Sequence, residues 1–138
     1  MTILDATDYM KELFTQYWVR EKKLRCSFQN ILTATPREDE AFAVFRVNHY
    51  TANRASFNGL NRTKYRQQGY LNIDIYVPYN DGMDNAYALA QDVLNIYRRP
   101  PHTCQINFSY FGLTETDTLY KNFFKVQVSV KFDYDYHF

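Results

Sequence analysis

Apolar and polar side chains alternate most regularly at the end of the chain. Phe124, Val126, Val128, Val130, Phe132, Tyr134, Tyr136 and Phe138 share one parity, and Lys125, Gln127, Ser129, Lys131, Asp133, Asp135 and His137 the other. That pattern predicts a half-buried strand over 120–138, much longer than the usual five or six residues. A second clear alternation sets Leu71, Ile73, Ile75 and Val77 against Tyr70, Asn72, Asp74 and Tyr76. Pro78 and the turn residues Asn80, Asp81 and Gly82 should stop that strand. Beyond them Ala86, Leu89, Ala90, Val93, Leu94 and Tyr97 recur at three- and four-residue spacing, the stripe of a helix that lies on a sheet, with Asp84 or Asn85 as its cap.

The remaining elements follow from the same two periods. Ile3, Ala6, Met10, Leu13, Phe14 and Tyr17 predict a first helix of about four to five turns, capped by Thr2 or Asp5 and ending near Arg20, Lys22 and Lys23. Trp18 at its edge reads as a core anchor. Residues 25–40 read as a connection with one short extended piece. Residues 41–50 carry apolar side chains on both faces and predict a central strand. Residues 105–112 alternate again, with Ile106, Phe108 and Tyr110 on one face, and 113–119 read as a polar turn. The sum is an α+β domain spanning 1–138: about four strands in a mixed or antiparallel sheet, with two helices packed on one face. Either a parallel crossover or an antiparallel return fits the helix between the middle strands.

Composition changes this picture in one respect. Among 138 residues, thirteen Tyr and eleven Phe exceed what a core of this size needs, and tyrosine suits a surface that is dry in one state and wet in another. Self-association or a protein partner follows as the expectation. The C-terminal Tyr134, Tyr136 and Phe138 lie beyond what a small sheet should cover, so they either dock on a neighbouring subunit or fold over their own core. Tyr70 and Tyr76, on the polar face of their strand, join them as candidate subunit contacts. A formal charge of +1 argues against coating nucleic acid through an overall field. Two cysteines, Cys26 and Cys104, are too few for a disulfide scaffold. The N-terminus lacks a basic start and an apolar run, and no apolar stretch is long enough for a membrane helix, so a soluble, intracellular protein is expected.

The least regular stretch, 51–68, holds the candidate chemistry. Between Glu40 and Asp74 there is no acidic residue, while Arg46, Arg54, Arg62, Lys64 and Arg66 fall in that window with Phe57 and Tyr65 among them. Arg54, Arg62, Lys64 and Arg66 are candidates for contact with DNA or an acidic partner, the alternative being a solvated hairpin that joins two strands. Catalysis finds no support: His49, His102 and His137 have no metal-ligand spacing, and no nucleophile elbow or phosphate loop is present. Neither a catalytic site, a metal nor a cofactor is expected. Asp81 and Asp84 around Gly82 lack the ligand series of a calcium loop. Aromatic strand faces would also suit a single-stranded nucleic-acid binder.

The chain resembles the tail terminator, or tail completion, family of tailed bacteriophages. The match runs in order through the first helix, Phe28-Gln29-Asn30, the strand–basic segment–strand from Phe42 to Gly69, and Gly69-Tyr-Leu-Asn-Ile-Asp-Ile-Tyr-Val-Pro78 with Gly82 and the helix behind it. It covers about residues 3–133, as a pattern of strand, proline, glycine and helix, with more tyrosines here than the family pattern has. The resemblance implies a structural virion protein at the tail–neck junction, present in the host cytoplasm during assembly. It implies a ring, commonly of six subunits, that stops tube polymerisation. Its partners would be further copies of itself, the tail tube protein, the neck or head connector, a sheath if the tail contracts, and genomic DNA in the lumen. A different neck or head-completion ring of the same particle is the nearest alternative.

Overall fold

In the computed structural model, which describes residues 2–28, 40–58, 62–78, 83–120 and 123–137, the alternation in the middle of the chain becomes the centre of a five-stranded sheet. The strands are β1 (Arg25–Phe28), β2 (Phe42–Asn58), β3 (Arg62–Pro78), β4 (Asn107–Tyr120) and β5 (Phe123–His137), in the order β1-β2-β3-β5-β4. β1 lies parallel to β2, and every other pairing is antiparallel. Leu71, Ile73, Ile75 and Val77 of β3 and Val126, Val128, Val130 and Phe132 of β5 are fully buried on one face. Each such side chain contributes about 1.5–3 kcal/mol by leaving water.

Two helices cover that face. α1 (Ile3–Thr15) starts with a capping box: Thr2 Oγ1 accepts from the Asp5 N–H at 3.0 Å, and Asp5 Oδ2 accepts from the Thr2 N–H at 3.2 Å. A π-helical turn, Gln16–Glu21, follows, and Trp18 within it is fully buried, its indole N–H donating to the Arg25 carbonyl at 2.8 Å. Lys23, at φ 56°, takes the left-handed conformation that swings the chain into β1. α2 (Met83–Arg98) buries Ala86, Leu89, Ala90, Val93, Leu94 and Tyr97, the stripe read from the spacing. The buried Tyr97 hydroxyl donates to the Met10 carbonyl at 2.9 Å and ties the helices together. Asp84 lies inside the first turn of α2 rather than at its cap.

Three expectations are corrected. Among the described residues the sheet has five strands, because the short extended piece in the first connection pairs with β2 as β1. The hairpin kept open for 51–68 is what forms: β2 and β3 pair from Phe42↔Tyr76 to Asn58↔Arg62. The end of β5 is therefore covered: Asp133, Tyr134, Asp135 and Tyr136 pair with Gln68, Gln67, Arg66 and Tyr65. The sheet is long enough because its hairpin is. Residues 113–119, read as a polar turn, continue β4, since an outer strand needs only one apolar face and threonines favour extended backbone.

Two bulges decide which way side chains point. In β2 an extra residue sits between His49 and Thr51, opposite Gly69. A Cβ on Gly69 would come within 2.3 Å of the Asn48 carbonyl oxygen and 2.5 Å of Phe132 Cζ, so only glycine fits beneath the bulge. In β4 the register shifts between Phe108 and Tyr110, leaving Ser109 extra. Phe108 and Phe111 pack against the core while Tyr110 is 58% exposed on the other face. The one-residue slip thus separates Tyr110 from Ile106 and Phe108, with which strict alternation had grouped it.

Candidate interaction surface

The sheet face away from the helices is polar by alternation yet carries two ordered side-chain networks. At its centre Asp74 is 2% exposed although no helix covers it. Arg46, on β2, binds its Oδ2 through Nη2, and Lys125 Nζ, on β5, stands 3.7 Å from the same oxygen. Asp74 Oδ1 is buried with no hydrogen-bond partner among the described residues. Beside this cluster the Ser129 hydroxyl donates to Asn72 Oδ1 at 3.0 Å. Phe42 stacks on Tyr76 with ring centres 4.6 Å apart, and Phe123 meets Phe42 edge-on at 5.0 Å.

Further along the same face, Tyr70, Lys131 and Tyr110 form one row across β3, β5 and β4, and Tyr50, the extra residue of the β2 bulge, joins it through Tyr70. Tyr50 and Tyr70 are stacked at 5.6 Å and stay 49% and 37% exposed. The Tyr110 ring lies against Gly112, where a Cβ would meet it at 2.8 Å, so this glycine lets the ring lie down on the sheet. Such a row offers aromatic area with little entropy to lose and a cation in its middle, the composition of a contact surface.

The basic window is partly neutralised. Lys64 Nζ and Arg66 Nε each stand 3.1 Å from a carboxylate oxygen of Asp135, which β5 brings alongside β3. The Arg66 hydrogen bond, with help from Lys64, holds the Asp135 carboxyl below its ordinary range. Arg54 and Arg62 lie on the hairpin backbone, opposite Tyr65 and Asn58. Their side chains, with that of Tyr136 and the whole of Phe138, lie outside the described residues.

The candidate subunit contacts divide. Tyr70 remains at the surface, and Tyr76 is half-buried against Phe42. Tyr134 is 2% exposed, its hydroxyl 3.0 Å from His49 Nε2, with Phe132 stacked on it at 6.1 Å. It folds over its own core and is unavailable to a neighbour. Burial lowers the pKa of His49 from the ordinary imidazole value.

Structures already solved share this architecture. One of them superposes with a TM-score of 0.60 at 16% identity, over 93% of this chain and 94% of its own. That likeness shows the fold. No family model and no curated protein matches the chain.

Tyr50, Tyr110, Lys131 and the Arg46–Asp74–Lys125 cluster were not singled out from the sequence. Alternation did place Asp74 with Tyr70 and Tyr76, but its ion partners come from other strands. Among the described residues no helix is long and apolar enough to cross a membrane, and no three His, Cys, Asp or Glu side chains gather to hold a metal. Cys104 donates to the Ile106 carbonyl at 3.3 Å beside an exposed His102, and burial pushes the Cys26 thiol up to about 12. Neither thiol is placed as a nucleophile there.

Proposed function

We propose that this chain is a structural protein of a tailed bacteriophage, a tail terminator that forms a ring, hexameric in this reading, on the head-proximal end of the tail tube. In that position it ends tube growth and joins tail to head connector, with genomic DNA passing through the lumen and a sheath around it if the tail contracts. The observation that carries the reading is the sheet itself: both helices lie on one face, while the other bears three exposed tyrosines and the sheet ends on two unlike edges. A ring needs one surface of each subunit to meet a different surface of the next, and such a sheet supplies several unlike surfaces. The strand from Gly69 to Pro78, on which the resemblance chiefly rests, is the middle of that sheet. Another neck or head-completion ring would use the same features.

One observation favours a second reading. The Tyr110 ring resting on Gly112 beside Lys131 is the geometry of a stacking platform with a nearby cation, as in single-stranded nucleic-acid binders. Light scattering with negative-stain imaging separates the two. The terminator reading expects rings, alone or after addition of tail tube protein. A chain that stays monomeric with tubes present and binds oligonucleotides in a salt-sensitive way overturns it in favour of the second.

A further inference from the structure

Among the described residues the four most exposed large apolar side chains are Leu4, Tyr110, Tyr50 and Ile3, the first and last of them 68% and 48% exposed. They fall in two places. Ile3 and Leu4 open the first turn of α1, while Tyr50 and Tyr110 stand at the two ends of the tyrosine row on the open face. α1 packs on the other face of the sheet, where Phe14 stacks on Phe45 at 5.3 Å and Phe45 pairs with Ile73. The two patches thus lie on opposite layers of one subunit and cannot touch within it. Between copies they can, and a contact that joins unlike surfaces is the kind that repeats around a ring.

Each patch holds a charge that the subunit leaves uncommitted. Asp8 is exposed one turn beyond Leu4, and Lys131 stands between Tyr70 and Tyr110. Neither has an ion partner among the described residues. Their neighbours are engaged: Asp5 in the capping box, Glu12 with Arg20 at 2.7 Å, and Asp133 as acceptor from Asn107 at 3.3 Å. The surroundings differ in sign as well. The exposed side of α1 carries Asp5, Asp8 and Glu12, whereas on the open face Arg46, Lys64, Arg66, Lys125 and Lys131 outnumber Asp74, Asp133 and Asp135. Spacing agrees too. Residues four apart on a helix stand about 5–6 Å from each other, and neighbouring strands about 4.8 Å, so Leu4 can rest on the Tyr110 ring of β4 while Asp8 meets Lys131 of β5.

We propose that α1 of one copy lies across the open sheet face of the next, with Leu4 on the Tyr110 ring and Asp8 paired with Lys131, so that helix layer meets sheet layer from subunit to subunit. The proposal rests on the ring reading above and names the surfaces that build the ring. Its test is a charge exchange, read by light scattering with tail tube protein present. Asp8→Lys and Lys131→Glu should each keep the wild-type circular dichroism and drop the mass from ring to monomer, and both changes in one chain should restore the ring. Leu4→Ser should raise the concentration needed for assembly roughly tenfold. The wild-type chain offers a test that needs no variant: a zero-length carbodiimide should join Asp8 of one copy to Lys131 of the next, seen as a linked peptide from the covalent dimer. Single variants that still form rings, a double exchange that stays monomeric, or wild-type rings that give no Asp8–Lys131 link overturn this contact while the ring reading stands. A wild-type chain that stays monomeric with tail tube protein overturns both.

Discussion

The two faces of β3 are built from alternate residues of one strand and obey different physics. On the covered face Leu71, Ile73, Ile75 and Val77 are all fully buried beneath the helices, and their identity matters chiefly as apolar volume. On the open face Tyr70, Asn72, Asp74 and Tyr76 are each held by a specific partner: Tyr50, Ser129, Arg46 and Phe42. The comparison teaches that burial has two causes here. Ile73 is buried by a second layer, whereas among the described residues Asp74 is enclosed by side chains of its own sheet, Arg46 and Lys125.

The largest contrast should come from truncating neighbouring positions on opposite faces. Ile73→Ala should cost about 2–5 kcal/mol through lost burial and the cavity left behind. Tyr70→Ala should cost about 1 kcal/mol, the order of a partly exposed aromatic pair. Urea unfolding of both variants measures the difference, and equal losses would mean that the open face is a second core. An intermediate effect is expected at Asp74. Asp74→Ala should lose about 1–3 kcal/mol, below the cost of stranding a fully buried cation, because Arg46 is 40% and Lys125 30% exposed and both can turn to water. A double-mutant cycle with Arg46→Ala isolates the pair, and zero coupling would remove it as the cause of the burial.

The smallest effect is in the pH dependence, and it belongs to the covered face. His49 has its pKa lowered by burial, so the folded state resists the proton that the unfolded state accepts. Stability from this group is complete above the ordinary imidazole value of 6.5 and is lost as pH falls below it towards the lowered folded value. Urea midpoints at pH 7.5 and 5.5 should therefore differ more for the wild type than for His49→Gln. An equal drop in both would assign the pH dependence to other groups.

Local periodicity by itself determined the covered faces of β3 and β5, the buried stripe of α2 and the core role of Trp18, because each depends only on which neighbouring residues share a side. What it left open, or assigned wrongly, depended on partners distant along the chain. Lys64 and Arg66 stand in an acid-free stretch of sequence, yet β5 brings Asp135 against them from 69 residues away along the chain from Arg66. Tyr134 was grouped with an exposed aromatic end, and the length of the β2–β3 hairpin puts it inside. Tyr110 changed sides on one bulged serine, and 113–119 became strand by pairing with β5. The resemblance to tail terminators was legible in the strand, proline, glycine and helix pattern. The surfaces through which copies would meet were not, since strand order and register arise when the chain closes long loops to bury those local faces together, and no period of two or 3.6 residues encodes that choice.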